Sequence, residues 1–174
     1  MHGRTSSRIA AALLVAALLS LAGCAGPSSP APTPVPIPAA PAAADLSTPE
    51  AAVHSYLAWT TYGYHVADSD VATPTMSPDE EVRVNSYVEF NREKGRVIDQ
   101  HLESMVFGKS SIEGTRAVLR ARERWVYQYL AISDQKPLSP QYQVTYDTTY
   151  TVVAVAPGRW TVDHVEVKSP GSVK

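Results

Sequence analysis

The apolar positions of this 174-residue chain change their spacing several times, and each change marks a boundary. Ile9 to Ala22 is an uncharged run preceded by Arg4 and Arg8, the charged start and short apolar stretch of a secretory signal. About thirteen apolar residues are too few to span a bilayer comfortably. From Ala25 to Ala44 the pattern disappears, leaving uncharged Ala, Gly, Pro, Ser, Thr, Val and Ile with seven prolines between Pro27 and Pro41. Such a segment cannot bury enough surface to fold. Proline at alternate positions favours polyproline II and a reach of up to roughly 60 Å. The expected division is a signal peptide over 1–23, a disordered tether over 24–46 and a folded domain over 47–170.

Helical spacing begins after Ser47-Thr48-Pro49-Glu50, which reads as a helix start with Ser47 or Thr48 as the cap; if Ser47 is the cap, Glu50 takes the capping-box position. Val53, Tyr56, Leu57, Thr60 and Tyr64 recur along a helix predicted over 49–66. A loop from Ala67 to Met76 precedes a second cap, Ser77-Pro78-Asp79-Glu80, and the stripe Val84, Tyr87, Val88, Asn91, closed by Gly95. The period then drops to two. Four strands are predicted: Arg96 to Phe107, Thr115 to Leu130, Tyr142 to Val155 and, after Pro157-Gly158, Arg159 to Lys168. The expected fold is α+β, with N-terminal helices packed on a strongly curved antiparallel four-stranded sheet. Strands this long rarely stay flat, so bulges are expected.

Composition then narrows the function classes. One cysteine excludes an intrachain disulfide framework and a Cys-paired zinc ribbon, and a formal charge of -2 gives no reason to expect nucleic acid. Removing residues 1–23 takes away Arg4 and Arg8 and no acid, leaving 13 basic and 17 acidic residues, a charge of -4. No polybasic stretch or basic amphipathic helix is present, so membrane attachment has to come from a lipid.

Leu21-Ala22-Gly23-Cys24 resembles the lipobox of bacterial lipoproteins. The resemblance implies a diacylglyceryl group on the thiol of Cys24, cleavage before it and acyl chains of the palmitate kind at the new N-terminus. It places the domain on the extracytoplasmic face of the cell membrane. The order of two helices and four strands, with a tyrosine-rich strand, a tight turn and then Gly158-Arg159-Trp160-Thr161-Val162-Asp163, looks like the cone-shaped domain of the nuclear transport factor 2-like superfamily. The resemblance covers about residues 47–168, and a third helix usual in that superfamily would have to be replaced by 67–76. The whole arrangement resembles actinobacterial lipoproteins in which a lipobox and a proline spacer precede such a domain.

Enzymes of that superfamily place an Asp or Glu base and a Tyr or protonated-acid donor inside the cone. Here Glu123 falls on the aromatic face beside Trp125, and His164 falls on the face of Trp160 and Val162. A pocket reading therefore takes Glu123 and His164 as a polar pair, lined by Trp125, Tyr127, Tyr146 and Trp160. The competing reading has Glu123 meeting an arginine at a bulge and His164 near an exposed strand end. The acids Asp68, Asp70, Asp79, Glu80 and Glu81 lack calcium-loop spacing, and His54, His65, His101 and His164 lack paired ligand spacing, so no metal or cofactor is expected. Arg116, Arg120, Arg122 and Arg124 form a stripe on the outer face, either a dock for an acidic partner or a solvated face balanced by cross-strand acids. With no convergent catalytic constellation, the expected function is a non-catalytic interaction or accessory domain held at the membrane, with a protein partner or a homodimer. The alternative is a small hydrophobic ligand binder or an enzyme resembling ketosteroid isomerases and polyketide cyclases.

Overall fold

The computed structural model describes residues 31–168; the segment expected to be a signal peptide, and Cys24, lie outside them. Helix α1 spans Pro49–Val66 and α2 spans Pro78–Arg92, with a short 3-10 helix, Asp70–Thr75, between them in place of a third α-helix. The strands are β1 Arg96–Phe107, β2 Ser111–Glu113, β3 Arg116–Ala131, β4 Tyr142–Ala156 and β5 Arg159–Lys168. They form one antiparallel sheet in the order β1-β3-β4-β5, with β2 folded back on β3. The fold class is α+β, helices on an antiparallel sheet. β2 is an addition to the expected four strands: Gly114, at a φ of +59°, turns three exposed residues back onto Arg116 to Val118.

Both helix starts carry a hydroxyl cap before a proline at the first helical position, and at α1 the choice falls on the second of the two candidates. Thr48, not Ser47, caps α1, its hydroxyl accepting from the Ala51 N–H at 3.1 Å. Ser47 donates instead to Asp45. At α2, Ser77 accepts from Glu80 N–H, but the Ser77 N–H donates to Val162 O on β5. The Glu80 side chain has no cap amide left to satisfy and turns inward, where it is 3% exposed.

The helices cover one face of the sheet. Val53, Tyr56 and Leu57 of α1 pack with Ala72, Met76 and Val84 against Leu119, Trp125, Tyr150, Val152 and Val162. On β3 the odd positions are buried from Ala117 to Trp125; beyond that, Gln128 and Leu130 are buried instead, where the chain after β3 folds back and Pro137 bridges to Leu130. The outer face carries Arg122 directly opposite Asp147, and Arg124 Nε lies 2.7 Å from Glu103 Oε2. Of that arginine stripe, Arg124 is ion-paired, Arg122 and Arg116 stand opposite the acids Asp147 and Glu113, and Arg120 stands opposite Thr149.

The ladder slips at Glu103 in β1, at Asp163 in β5 and at Val155 in β4. Each slip is a bulge, where a long strand bends and its inside-outside alternation inverts. Ahead of α1, residues 31–46 have no helix or strand and are mostly exposed, yet they are pinned to the domain, Asp45 exchanging two hydrogen bonds with Ser55 of α1. Val35 N–H donates to Gln135 O at 2.9 Å, and Leu46 packs on the core and accepts from Trp160 N–H at 2.8 Å. Among the described residues no helix is long and apolar enough to cross a membrane.

Candidate functional site

Between α1, α2 and the inner face of the sheet lies a cavity of about 410 Å³. Seven of the nine tyrosines reach its walls: Tyr56 and Tyr64 from α1, Tyr87 from α2, Tyr127 and Tyr129 from β3, Tyr146 and Tyr150 from β4. Helical spacing brings Tyr56 and Tyr64 to one side of α1, and strand alternation brings Tyr146, Thr148 and Tyr150 to one side of β4. Leu57, Ile98, Trp125, Val144, Val165 and Val167 supply the apolar wall. The closed end is made by fully buried Tyr150 and Thr148, while Tyr87 and Val167, each about half exposed, mark the mouth.

Glu123 is the acid in the wall, 3% exposed. Its Oε1 accepts from the Tyr150 hydroxyl and its Oε2 from Trp125 Nε1 at 2.8 Å. Burial, then the adjacent Glu123 carboxylate, pushes the Tyr150 phenol far above its ordinary range. A second carboxyl sits behind the wall: Glu80 Oε1 accepts from the Tyr56 hydroxyl at 2.8 Å and its Oε2 from Arg83 at 3.2 Å. Burial raises the Glu80 carboxyl above its usual value, with the Tyr56 hydroxyl and Arg83 pulling the other way. The rings of Tyr56 and Tyr150 meet edge to face at 6.4 Å, so the two carboxyl groups are joined through a pair of packed phenols. Thr148 Oγ1, in the same wall, is buried without a hydrogen-bond partner.

Of the six residues singled out from the sequence, Glu123, Trp125, Tyr127 and Tyr146 line the cavity; Trp160 and His164 do not. Trp160 stands beyond the closed end, separated by the packed side chains of Val152 and Val162, with Leu46 above it. His164 is turned out by the bulge at Asp163: Val162 faces in, His164 pairs with Thr151, and Val165 takes the inward place beside Tyr150. The imidazole is exposed and lies 2.6 Å from Arg83 Nη1. The proposed Glu123–His164 pair therefore does not form. The other residues noted in the sequence also scatter. His65 is buried against Asp99 at 3.2 Å, His54 meets Phe107 edge to face, Asp68 holds Asp70 N–H and Glu81 takes the Thr73 hydroxyl. No group of three or more His, Cys, Asp or Glu that could hold a metal ion occurs among the described residues.

Sequence reasoning missed Glu80, because a capping-box glutamate is ordinarily a surface residue. It also passed over Tyr56, Tyr64, Tyr87, Tyr129, Tyr150 and Thr148 as cavity residues, although tyrosines on two helix stripes and two strand faces were a visible signal.

No protein-family model and no curated protein matches this chain. Solved structures do. The intermembrane space region of the chloroplast protein ARC6 is 14% identical, with a TM-score of 0.55 over 70% of this chain and 94% of that one. A periplasmic fragment of TraM gives 0.49 at 8% identity, covering 70% and 95%. A nuclear transport factor 2-like superfamily protein from Salmonella enterica serovar Typhimurium gives 0.46 at 12% identity, covering 70% and 91%. The likeness to the ARC6 region shows a shared fold and, at that identity, nothing further.

Proposed function

We propose that this chain is a lipoprotein of the extracytoplasmic face, acylated at Cys24, whose nuclear transport factor 2-like domain binds one small, largely apolar molecule. The observation that carries the binding reading is the tyrosine-walled cavity. Its volume lies toward the lower end of the range for small-molecule sites, and its wall combines aromatic faces with a few polar groups, as such sites do. Seven tyrosine rings offer flat apolar faces, with the Tyr56 and Tyr150 hydroxyls already given to Glu80 and Glu123, and Thr148 offers a buried hydroxyl with nothing yet to bond. A flat or branched apolar ligand with one or two oxygens complements that wall.

Binding is favoured over turnover because both oxygens of Glu123 are already engaged by Tyr150 and Trp125, and His164 stands outside. The lipid anchor is supported by the lipobox, the preceding signal and the proline-rich spacer. An interaction surface for a protein partner or a second copy is compatible with the same architecture.

Titration with the neutral fluorophore N-phenyl-1-naphthylamine tests the cavity reading. Saturable binding at one site per chain, with quenching of tryptophan emission through Trp125, is expected, and Thr148→Phe, which fills the closed end, weakens it at least tenfold. Absence of saturable binding overturns the reading, as does undiminished binding to Thr148→Phe. Catalysis would instead show as turnover lost in Glu123→Gln with binding kept. For the anchor, Cys24→Ser is expected to move the protein from the membrane to the soluble fraction.

A further inference from the structure

The segment between the lipid attachment point and α1 does not leave the domain where α1 begins. It runs back along the domain from Leu46, beside Trp160 at the closed end, to Val35, whose N–H donates to Gln135 O at 2.9 Å. Gln135 belongs to the chain between β3 and β4, and this chain edges the cavity mouth. Leu138 N–H donates to the carbonyl of Tyr129, a wall residue, and Ile132 N–H donates to Gly95 O just past α2.

Around this point the surface is apolar and aromatic. Tyr87, Phe90, Ile132, Leu138, Tyr142 and Val167 are between 42% and 58% exposed. Tyr142 packs on the wall residue Tyr127 at 5.2 Å, and Phe90 lies one helical turn from Tyr87. Cations sit among them: Lys94 Nζ is 4.1 Å from the Phe90 ring centre and the Arg96 guanidinium 3.8 Å from that of Tyr129. Aromatic rings with long cationic side chains suit the boundary between headgroups and acyl chains. Val106, Ile112 and Val155, toward the other end of the strands, are exposed as well, so exposure alone does not choose an end. The pinned segment does. Eleven Cα steps separate Cys24 from Val35, and as a polyproline II segment they reach about 34 Å at about 3.1 Å each. That is about the diameter expected of a domain this size, so the Gln135 side is the side held nearest to the anchor.

We propose that this rim rests on the membrane surface, so that the cavity opens toward the bilayer and draws its ligand from it. The proposal rests on acylation of Cys24, and its test separates the two. Leu138→Cys, Phe90→Cys and, as the far-end control, Val155→Cys are made in the full chain, purified with its native N-terminus and reconstituted into phosphatidylethanolamine/phosphatidylglycerol vesicles. Acylation consumes the thiol of Cys24, so a polarity-sensitive dye labels the introduced cysteine alone. Nitroxide-bearing lipids are expected to quench the dye at 138 and 90 at least threefold more than at 155. Val35→Pro, which removes the donor to Gln135, is expected to narrow that difference.

Equal quenching at both ends, or none at the rim, overturns the proposal. So does a rim buried by a second copy, seen as a dimer with the dye shielded, or by a protein partner that displaces it from lipid. If the mass of the N-terminal peptide shows unmodified Cys24, the lipoprotein reading fails. In that case the same variants with Cys24→Ser, held by an N-terminal hexahistidine on nickel-chelating lipid in those vesicles, still decide the orientation by the same comparison.

Discussion

The Tyr150 hydroxyl donates to Glu123 at 2.5 Å although the two residues are four positions out of register, Glu123 pairing with Tyr146 and Tyr150 with Leu119. The phenol lies along the strands, not across them, and closes the floor of the cavity over a buried carboxyl. Tyr150→Phe takes away the donor and leaves a buried oxygen unsatisfied, which costs about 1–3 kcal/mol. Urea unfolding measures it. In a double-mutant cycle with Glu123→Gln the two changes are expected to be non-additive by about 0.5–3 kcal/mol. Additive effects would show that the pair is not coupled.

Burial raises the Glu80 carboxyl above its ordinary 4.5 in the folded chain. The folded state then holds a proton that the unfolded state has released, so stability declines as pH rises from the unfolded value through the folded one, and levels off above it. Glu80→Gln keeps an acceptor for the Tyr56 hydroxyl and removes the titration. Unfolding midpoints taken at steps from pH 4 to 8 are expected to show a shallower decline in the variant. An unchanged slope would assign the decline to another group.

Alkali repeats the argument with the same sign at higher pH. Burial is the leading cause that raises Tyr56, Tyr64, Tyr127, Tyr146 and Tyr150 above their ordinary value, and it pushes Tyr87 up to about 12. Unfolded phenols ionise near 10, so above that pH the unfolded chain releases protons that the folded chain keeps, and stability falls as pH rises. Absorbance at 295 nm is expected to rise late, together with loss of circular dichroism. Ionisation of most tyrosines near pH 10 with the fold intact would contradict the buried wall.

Thr48 accepts from the Ala51 N–H and Ser47 does not, so the two neighbouring hydroxyls are not equivalent. Thr48→Ala is expected to lower stability by about 1 kcal/mol. Ser47→Ala, which loses only an exposed bond to Asp45, is expected to stay within about 0.5 kcal/mol. Thermal unfolding of both proteins separates them.

Much of the architecture was legible because its signals are local. Proline after Ser or Thr, the stripe from Val53 to Tyr64 and the alternation from Ala117 to Trp125 each report on a few consecutive residues, and α1, β1 and β5 fall where they were expected. What escaped was set by distant backbone. Glu80 turned inward because Val162 O, 85 residues later in the chain, satisfies the Ser77 N–H. The proline-rich segment reads as free chain, since nothing in its composition points to Gln135 as the partner of Val35. For the cavity, side-chain identity was informative on β3 and on β4 from Val144 to Tyr150, where the two pair without a slip, and misleading on β5, which slips at Asp163.

Asp163 gives that irregularity a wider meaning. A strand in step with β4 would have turned His164, Glu166 and Lys168 toward the tyrosines; the one extra residue turns Val165 and Val167 there instead. The same string of side chains could have walled a chamber that dissolves ions, and here it walls one that dissolves hydrocarbon. The solvent character of the interior is thus set by a count of backbone units, a quantity that composition does not register.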